Sequence, residues 1–276
     1  MTSPAHCLCA LACCLCFGGC VAVPEGFGGP ASRGSVFEAP AKGLDPGYKI
    51  EETAHFKLAA YASSSATLYA AKCEENYTRI MQDLGIYSFV PARPYNVAVY
   101  RDSAEYRLKT GQPEWSGGAA YGNALLLYEG DGLPSAMAHE MTHLIFNEFM
   151  GLGRAEQLRW LNEGIAVYEE SRSNPVSSAF YSQKVNEFVA PNPIPFSQMV
   201  NLAPQGESLK TVDRWYAQAG SVAGFMIRSG GSFNFSLFLS TLRDGAAADQ
   251  AIAAAYSGAW SNLADVEKAW LSEMKR

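Results

Sequence analysis

Histidine is scarce in this chain: four in 276 residues, at positions 6, 55, 139 and 143. Cysteine is scarcer still where it could matter. Cys7, Cys9, Cys13, Cys14, Cys16 and Cys20 crowd the first stretch, and only Cys73 lies beyond. That distribution excludes a disulfide framework for the folded part. Cationic charge is short as well, with 21 Lys and Arg against 27 Asp and Glu and a formal charge of -6. Nucleic-acid binding needs clustered cations against phosphates, so no nucleic-acid partner is expected. Internal repeats are missing, and the longest apolar run is too short to span a bilayer comfortably. What is present is an ordinary globular composition, 48% hydrophobic and 17% charged. Its length can bury a sizeable core.

The apolar run from Cys7 to Cys20 reads as the hydrophobic region of a signal peptide, although His6 is the only side chain before it able to carry positive charge. Phe17-Gly18-Gly19-Cys20 resembles a bacterial lipobox, with Phe17 where leucine is usual. Cys20 is therefore the expected lipidation site. An exported protein anchored in the cell envelope follows, with membrane contact only through that lipid. Plain cleavage near Cys20-Val21-Ala22, giving a secreted protein, is the alternative. Residues 21–47, rich in Gly, Pro and Ala without periodicity, are expected to be a tether. The folded domain then occupies 48–276.

Within it the pattern predicts an α+β fold. A small sheet lobe over 48–150 would hold strands at 48–61, 95–100 and 117–128 around a helix at 63–84. A helix opening at Pro134-Ser135 and ending near Met150 follows. Residues 151–276 read as a helical lobe, with helices at 157–172, 213–229, 233–243, 246–256 and 266–274. Cys73, in a helical stretch, reads as small apolar filler, and His55 as structural.

The helix opened by Pro134 carries His139-Glu140-Met141-Thr142-His143. Histidines four apart share one helix face, close enough for both imidazoles to grip one metal ion. Glu140, between them, places a carboxylate where a general base for a bound water is needed. Two buried histidines satisfied by backbone carbonyls would be the bland alternative. Ala138, Met141, Leu144 and Ile145 supply the apolar face that such a helix requires. A catalytic zinc site takes three protein ligands and keeps one position open. With histidine and cysteine nearly exhausted, a carboxylate is the economical third ligand. Glu163, in Trp160-Leu161-Asn162-Glu163-Gly164, is the best placed, although a helix-start glutamate favoured by the helix dipole would look the same.

These two segments together resemble the gluzincin peptidases, and most of all the small bacterial peptidase MA-like families related to the M1 aminopeptidases. The resemblance implies a zincin-like fold with the metal helix between the two lobes, one Zn2+ per chain, and Glu163 as third ligand. The spacing from His143 to Glu163 is one residue longer than the M1 pattern, which a loop insertion near Gly151-Leu152-Gly153 could absorb. Tyr168-Glu169-Glu170 reproduces a Tyr-x-Glu element seven residues past the ligand, and the i to i+7 spacing puts Glu170 on the face of Glu163. Glu170 could then hold the far nitrogen of a ligand histidine. Tyr216 matches the tyrosine that stabilises the oxyanion in M1 enzymes. Gly117-Gly118-Ala119-Ala120 stands where those aminopeptidases carry the glutamate that anchors a substrate's free amine. Its absence favours cleavage within polypeptide chains. The expected function is hydrolysis of peptide bonds by a zinc-bound water that Glu140 activates. A zincin-fold binding lipoprotein without catalysis, and a gluzincin hydrolase acting on a non-peptide bond, are the rivals.

Overall fold

The computed structural model describes residues 41–275 apart from 203, 205 and 206. The expected signal segment, Cys20 and residues 21–40 of the expected tether lie outside the described residues.

Alternation builds the sheet. Strands β1 (Lys49–Glu52), β2 (Phe56–Ala60), β3 (Tyr95–Tyr100), β4 (Gly118–Tyr121) and β5 (Ala124–Tyr128) lie in the order β1-β2-β3-β5-β4. β2, β3 and β5 run parallel, and β1 and β4 close the two edges antiparallel. Successive side chains in a strand point to opposite faces. Phe56, Leu58, Val97, Val99, Leu125 and Leu127 accordingly enter the main core, while Ala59, Ala98, Tyr100 and Leu126 form a second, smaller one. A parallel strand covered on both faces must be apolar throughout, as Ala124-Leu125-Leu126-Leu127 is.

Two expected strands are pairs. The run expected at 117–128 folds back on itself at Gly122, whose φ of 57° suits glycine, giving the β4–β5 hairpin. The run expected at 48–61 breaks at 53–55, where Thr53 and Phe56 exchange hydrogen bonds.

Helix α1 (Ser63–Leu84) covers the main face and ends on Gly85, with φ 67°. Its Cys73 is fully buried, as expected of apolar filler. Helix α2 (Ser103–Thr110), which the periodicity did not predict, covers the other face. Asp102 caps it by accepting from Glu105 N at 2.8 Å. The residues before β1 dock here as well: Leu44 joins the smaller core, and Tyr100 donates to the Lys42 carbonyl at 2.9 Å.

Beneath that contact Glu105 is buried and accepts from Tyr61, from Lys109 at 2.7 Å and from Arg101 N at 2.8 Å. Burial alone would raise its carboxyl, but these donors outweigh burial and hold it at about 2, against an ordinary 4.5. A depressed carboxyl adds stability that is complete above the unfolded value and is lost as pH falls through the folded one. Stability should therefore decline between about pH 4.5 and pH 2. Acid titration of the melting temperature should show a shallower decline for Glu105→Gln.

The rest is mostly helical: α3 (Leu133–Met150), α4 (Leu152–Gln157), α5 (Arg159–Ser173), α6 (Pro175–Lys184), α7 (Phe196–Met199), α8 (Leu209–Arg243), α9 (Ala248–Ala255) and α10 (Leu263–Glu273). The chain is thus α+β, a five-stranded sheet with a mostly helical remainder. The break expected near residue 230 falls at Gly231, whose φ of 71° interrupts α8.

Helices α5 and α8 meet through glycine. A Cβ on Gly164 would stand 2.6 Å from the Ala219 carbonyl oxygen, and one on Gly220 would stand 2.3 Å from Val167 Cγ1. The first obstacle is backbone and cannot swing aside. Gly164→Ala should cost about 1–3 kcal/mol, the usual penalty of overpacking. Thermal melting would register that cost as a lowered midpoint.

Candidate metal centre

Helix α3 starts with Pro134 in its first turn and is buried on nearly every side, from Leu133 to Met150. That burial makes its polar residues informative, because each must find a partner. Thr142 does so by returning its hydroxyl to the Ala138 carbonyl at 2.8 Å. His139, Glu140 and His143 are all at most 5% exposed.

The structure brings His139 and His143 together, their ring centroids 4.8 Å apart, and sets Glu163 against both. Glu163 Oε2 lies 3.7 Å from His139 Nε2 and 3.5 Å from His143 Nε2. Both distances are too long for hydrogen bonds. They are close to the separation of about 3.3 Å between two ligand atoms that each stand about 2.0–2.1 Å from one tetrahedral zinc ion. One ligand atom from each residue falls within 4.8 Å of the others.

The carboxylate oxygen Glu163 Oε2 is buried with no hydrogen-bond partner. Left so, it would carry a large desolvation cost, and a cation between it and the imidazoles would remove that cost. Burial by itself would raise the Glu163 carboxyl, but in the metal-free protein the imidazoles of His143 and His139, when protonated, outweigh it and hold the group down at about 2. A carboxylate with two imidazole nitrogens is a donor set suited to zinc.

The far nitrogens are fixed as well. His139 Nδ1 lies 2.9 Å from Glu170 Oε2, and His143 Nδ1 lies 2.8 Å from Asn162 Oδ1. A carboxylate and an amide oxygen can only accept, so each Nδ1 carries the proton and each Nε2 presents its lone pair to the centre. Asn162 is held in turn, donating to Asn147 Oδ1 of α3 at 3.1 Å. Glu170 thus stands where the i to i+7 spacing put it, one face with Glu163. Its neighbour Glu169 points away to α1, where Arg79 Nε donates to it at 2.9 Å. Burial and the nearby Asp83 push the Glu169 carboxyl up to about 8, against the pull of Arg79.

Glu140 faces the edge strand. A Cβ on Gly118 would stand 3.1 Å from Glu140 Cγ, and a Cβ on Gly117 would stand 3.7 Å from the Ala136 methyl. Glycine therefore lets β4 lie close along the metal helix. β4 itself, Gly118-Ala119-Ala120-Tyr121, offers no carboxylate. Tyr216 sits half-buried on α8 against Trp215, their ring centroids 5.0 Å apart, and bears electrostatically on the Tyr181 phenol. His55 lies apart from the centre, bonded to Glu74 at 2.8 Å and stacked on Tyr77.

Three residues around the centre had no assigned role in the sequence. Asn162 lies within the motif that carries Glu163, and its position next to the ligand was the available signal. Asn147, four residues past His143 on the same helix face, gave a weaker one. Tyr181 of α6 donates to Glu170 Oε2 at 2.8 Å and had no local signal.

Two histidines and a glutamate from adjacent helices, with their ligand atoms facing one point, make a site able to hold one metal ion. The family model of the peptidase MA superfamily matches residues 74–275, and the chain belongs to that superfamily, a family of metallopeptidase type. No curated protein matches the chain.

Proposed function

We propose that the chain is a zinc-dependent endopeptidase of gluzincin type, with a zincin-like arrangement in which α3 lies between the sheet and the helical part. The observation that carries this reading is the convergence of His139, His143 and Glu163 beside a buried Glu140 on one helix. His139, His143 and Glu163 would hold one Zn2+. Bound there, zinc polarises a substrate carbonyl and lowers the pKa of a water towards neutrality.

The remaining work belongs to the chain's own side chains. Glu140 accepts a proton from the attacking water and passes it to the departing nitrogen. Glu170 and Asn162 keep each ligand imidazole in the tautomer that presents Nε2. Tyr216 supplies a hydroxyl donor for the oxyanion as the carbonyl becomes tetrahedral. Among the described residues β4 pairs with β5 alone, and its other edge is suited to an extended polypeptide joining by main-chain hydrogen bonds. Because β4 carries no carboxylate to bind a free amine, cleavage falls within chains. The same reading takes the protein as exported and held in the cell envelope by lipid on Cys20.

Mapping of cleaved peptides in a whole proteome, with wild type against Glu140→Gln, tests it. Internal cuts present only with wild type are expected. Exclusive removal of single N-terminal residues would contradict the endopeptidase reading.

A further inference from the structure

Among the described residues, two donors reach Glu170 Oε2. His139 Nδ1 lies at 2.9 Å, and the Tyr181 hydroxyl lies on the same oxygen at 2.8 Å. A phenol bonded to a carboxylate is a donor. One oxygen thus receives a proton donor from His139 and another from Tyr181 of α6.

Helix α6 is well secured for that task. Asn174 caps it, accepting from Ser177 N at 2.9 Å, with Pro175 in the first turn. Ser177 bonds Ser135 at 2.7 Å and Asn174 Nδ2 bonds Ser135 at 3.0 Å, which ties the start of α6 to the start of the metal helix. Lys184 pairs with Asp213 of α8 at 2.7 Å at the other end. Tyr181 also lines an open cleft with Tyr168, Ser178, Val185 and Ala217, and none of the three ligand residues lines that cleft.

We propose that Tyr181 is a positioning residue for the metal centre: by donating to Glu170 Oε2 it fixes the carboxylate that orients His139, and so tunes how tightly the centre holds its ion. The inference rests on the metal-site part of the reading above. A carboxylate held by two donors has fewer rotamers available, so His139 is held closer to its bound orientation and less entropy is lost when the ion binds. Glu170, one step behind the ligand, is a partner of the kind worth about 10–100-fold in metal affinity, and Tyr181 acts through it.

Zinc affinity measured by competition with a chromophoric chelator tests it on the full chain, using wild type, Tyr181→Phe, Glu170→Ala and the double variant. Tyr181→Phe keeps the ring and removes only the hydroxyl, and melting of the metal-free protein checks that the fold persists. The expected result is about tenfold weaker zinc binding for Tyr181→Phe, a larger loss for Glu170→Ala, and no further loss when the two are combined. Wild-type affinity in Tyr181→Phe would overturn the inference. So would a Tyr181→Phe loss that repeats in full on the Glu170→Ala background, which would mark a merely structural residue. Wild type that binds zinc but cleaves no peptide overturns the peptidase reading alone, since the affinity cycle reads the centre directly. Wild type that binds no zinc overturns both.

Discussion

Glu140→Gln is expected to lower kcat/KM on a peptide substrate by about 10²–10⁴-fold, the usual contribution of a general base, while the protein still binds zinc. The two halves of that result have separate causes. Glutamine keeps the size of glutamate, so the close approach of Gly118 to Glu140 Cγ is undisturbed. Its amide cannot take a proton from water at any pH near neutrality, so the proton has nowhere to go. The proposed ligand atoms belong to His139, His143 and Glu163 and are untouched. Steady-state kinetics on an internally quenched peptide, with elemental analysis of the same sample, reads both halves. Activity retained in Glu140→Gln would remove Glu140 from the reaction, and zinc lost with it would give the residue a structural part instead.

Glu163→Ala should have the second large effect, and on binding rather than on chemistry. Loss of an outer partner costs about 10–100-fold in metal affinity, and loss of a ligand should exceed that range. Glu163 is the only carboxylate among the grouped ligand residues, and its Oε2 is buried without a hydrogen-bond partner. Removing it also removes a buried charge whose balance depends on the ion. The zinc-dependent stabilisation should therefore shrink sharply, beyond any change in the midpoint of the metal-free protein. Thermal melting across a zinc titration measures both, because a ligand that binds only the folded state raises the midpoint with its concentration. A Glu163→Ala chain that melts and responds to zinc as wild type does would assign the third position elsewhere.

How far the sequence carries depends on the range of each contact. His139, Glu140 and His143 lie within one helical turn, so their grouping follows from helix geometry alone. Glu163 could be reached by counting, since so few histidines and cysteines remain to compete with it. Glu170 is two helical turns from Glu163 along α5, again a local matter. Tyr181 was illegible because its contact with Glu170 exists only once α6 has turned back over α5 and α3. The turn that does this, Asn174-Pro175, does carry a readable helix start, a capping side chain followed by proline. The same holds for α2, where Asp102 caps a helix too short to show a clear apolar stripe. Hydrophobic alternation continues across each tight turn, so the sequence joins each edge strand to its neighbour. Gly122 was the signal for one of those turns.

The central claim is that His139, His143 and Glu163 together hold one zinc ion. Elemental analysis of the purified wild-type chain after dialysis against buffered zinc tests it most directly. One zinc per chain is predicted, with none retained by a chain in which all three residues are alanine. A folded wild-type chain that retains no zinc would contradict it.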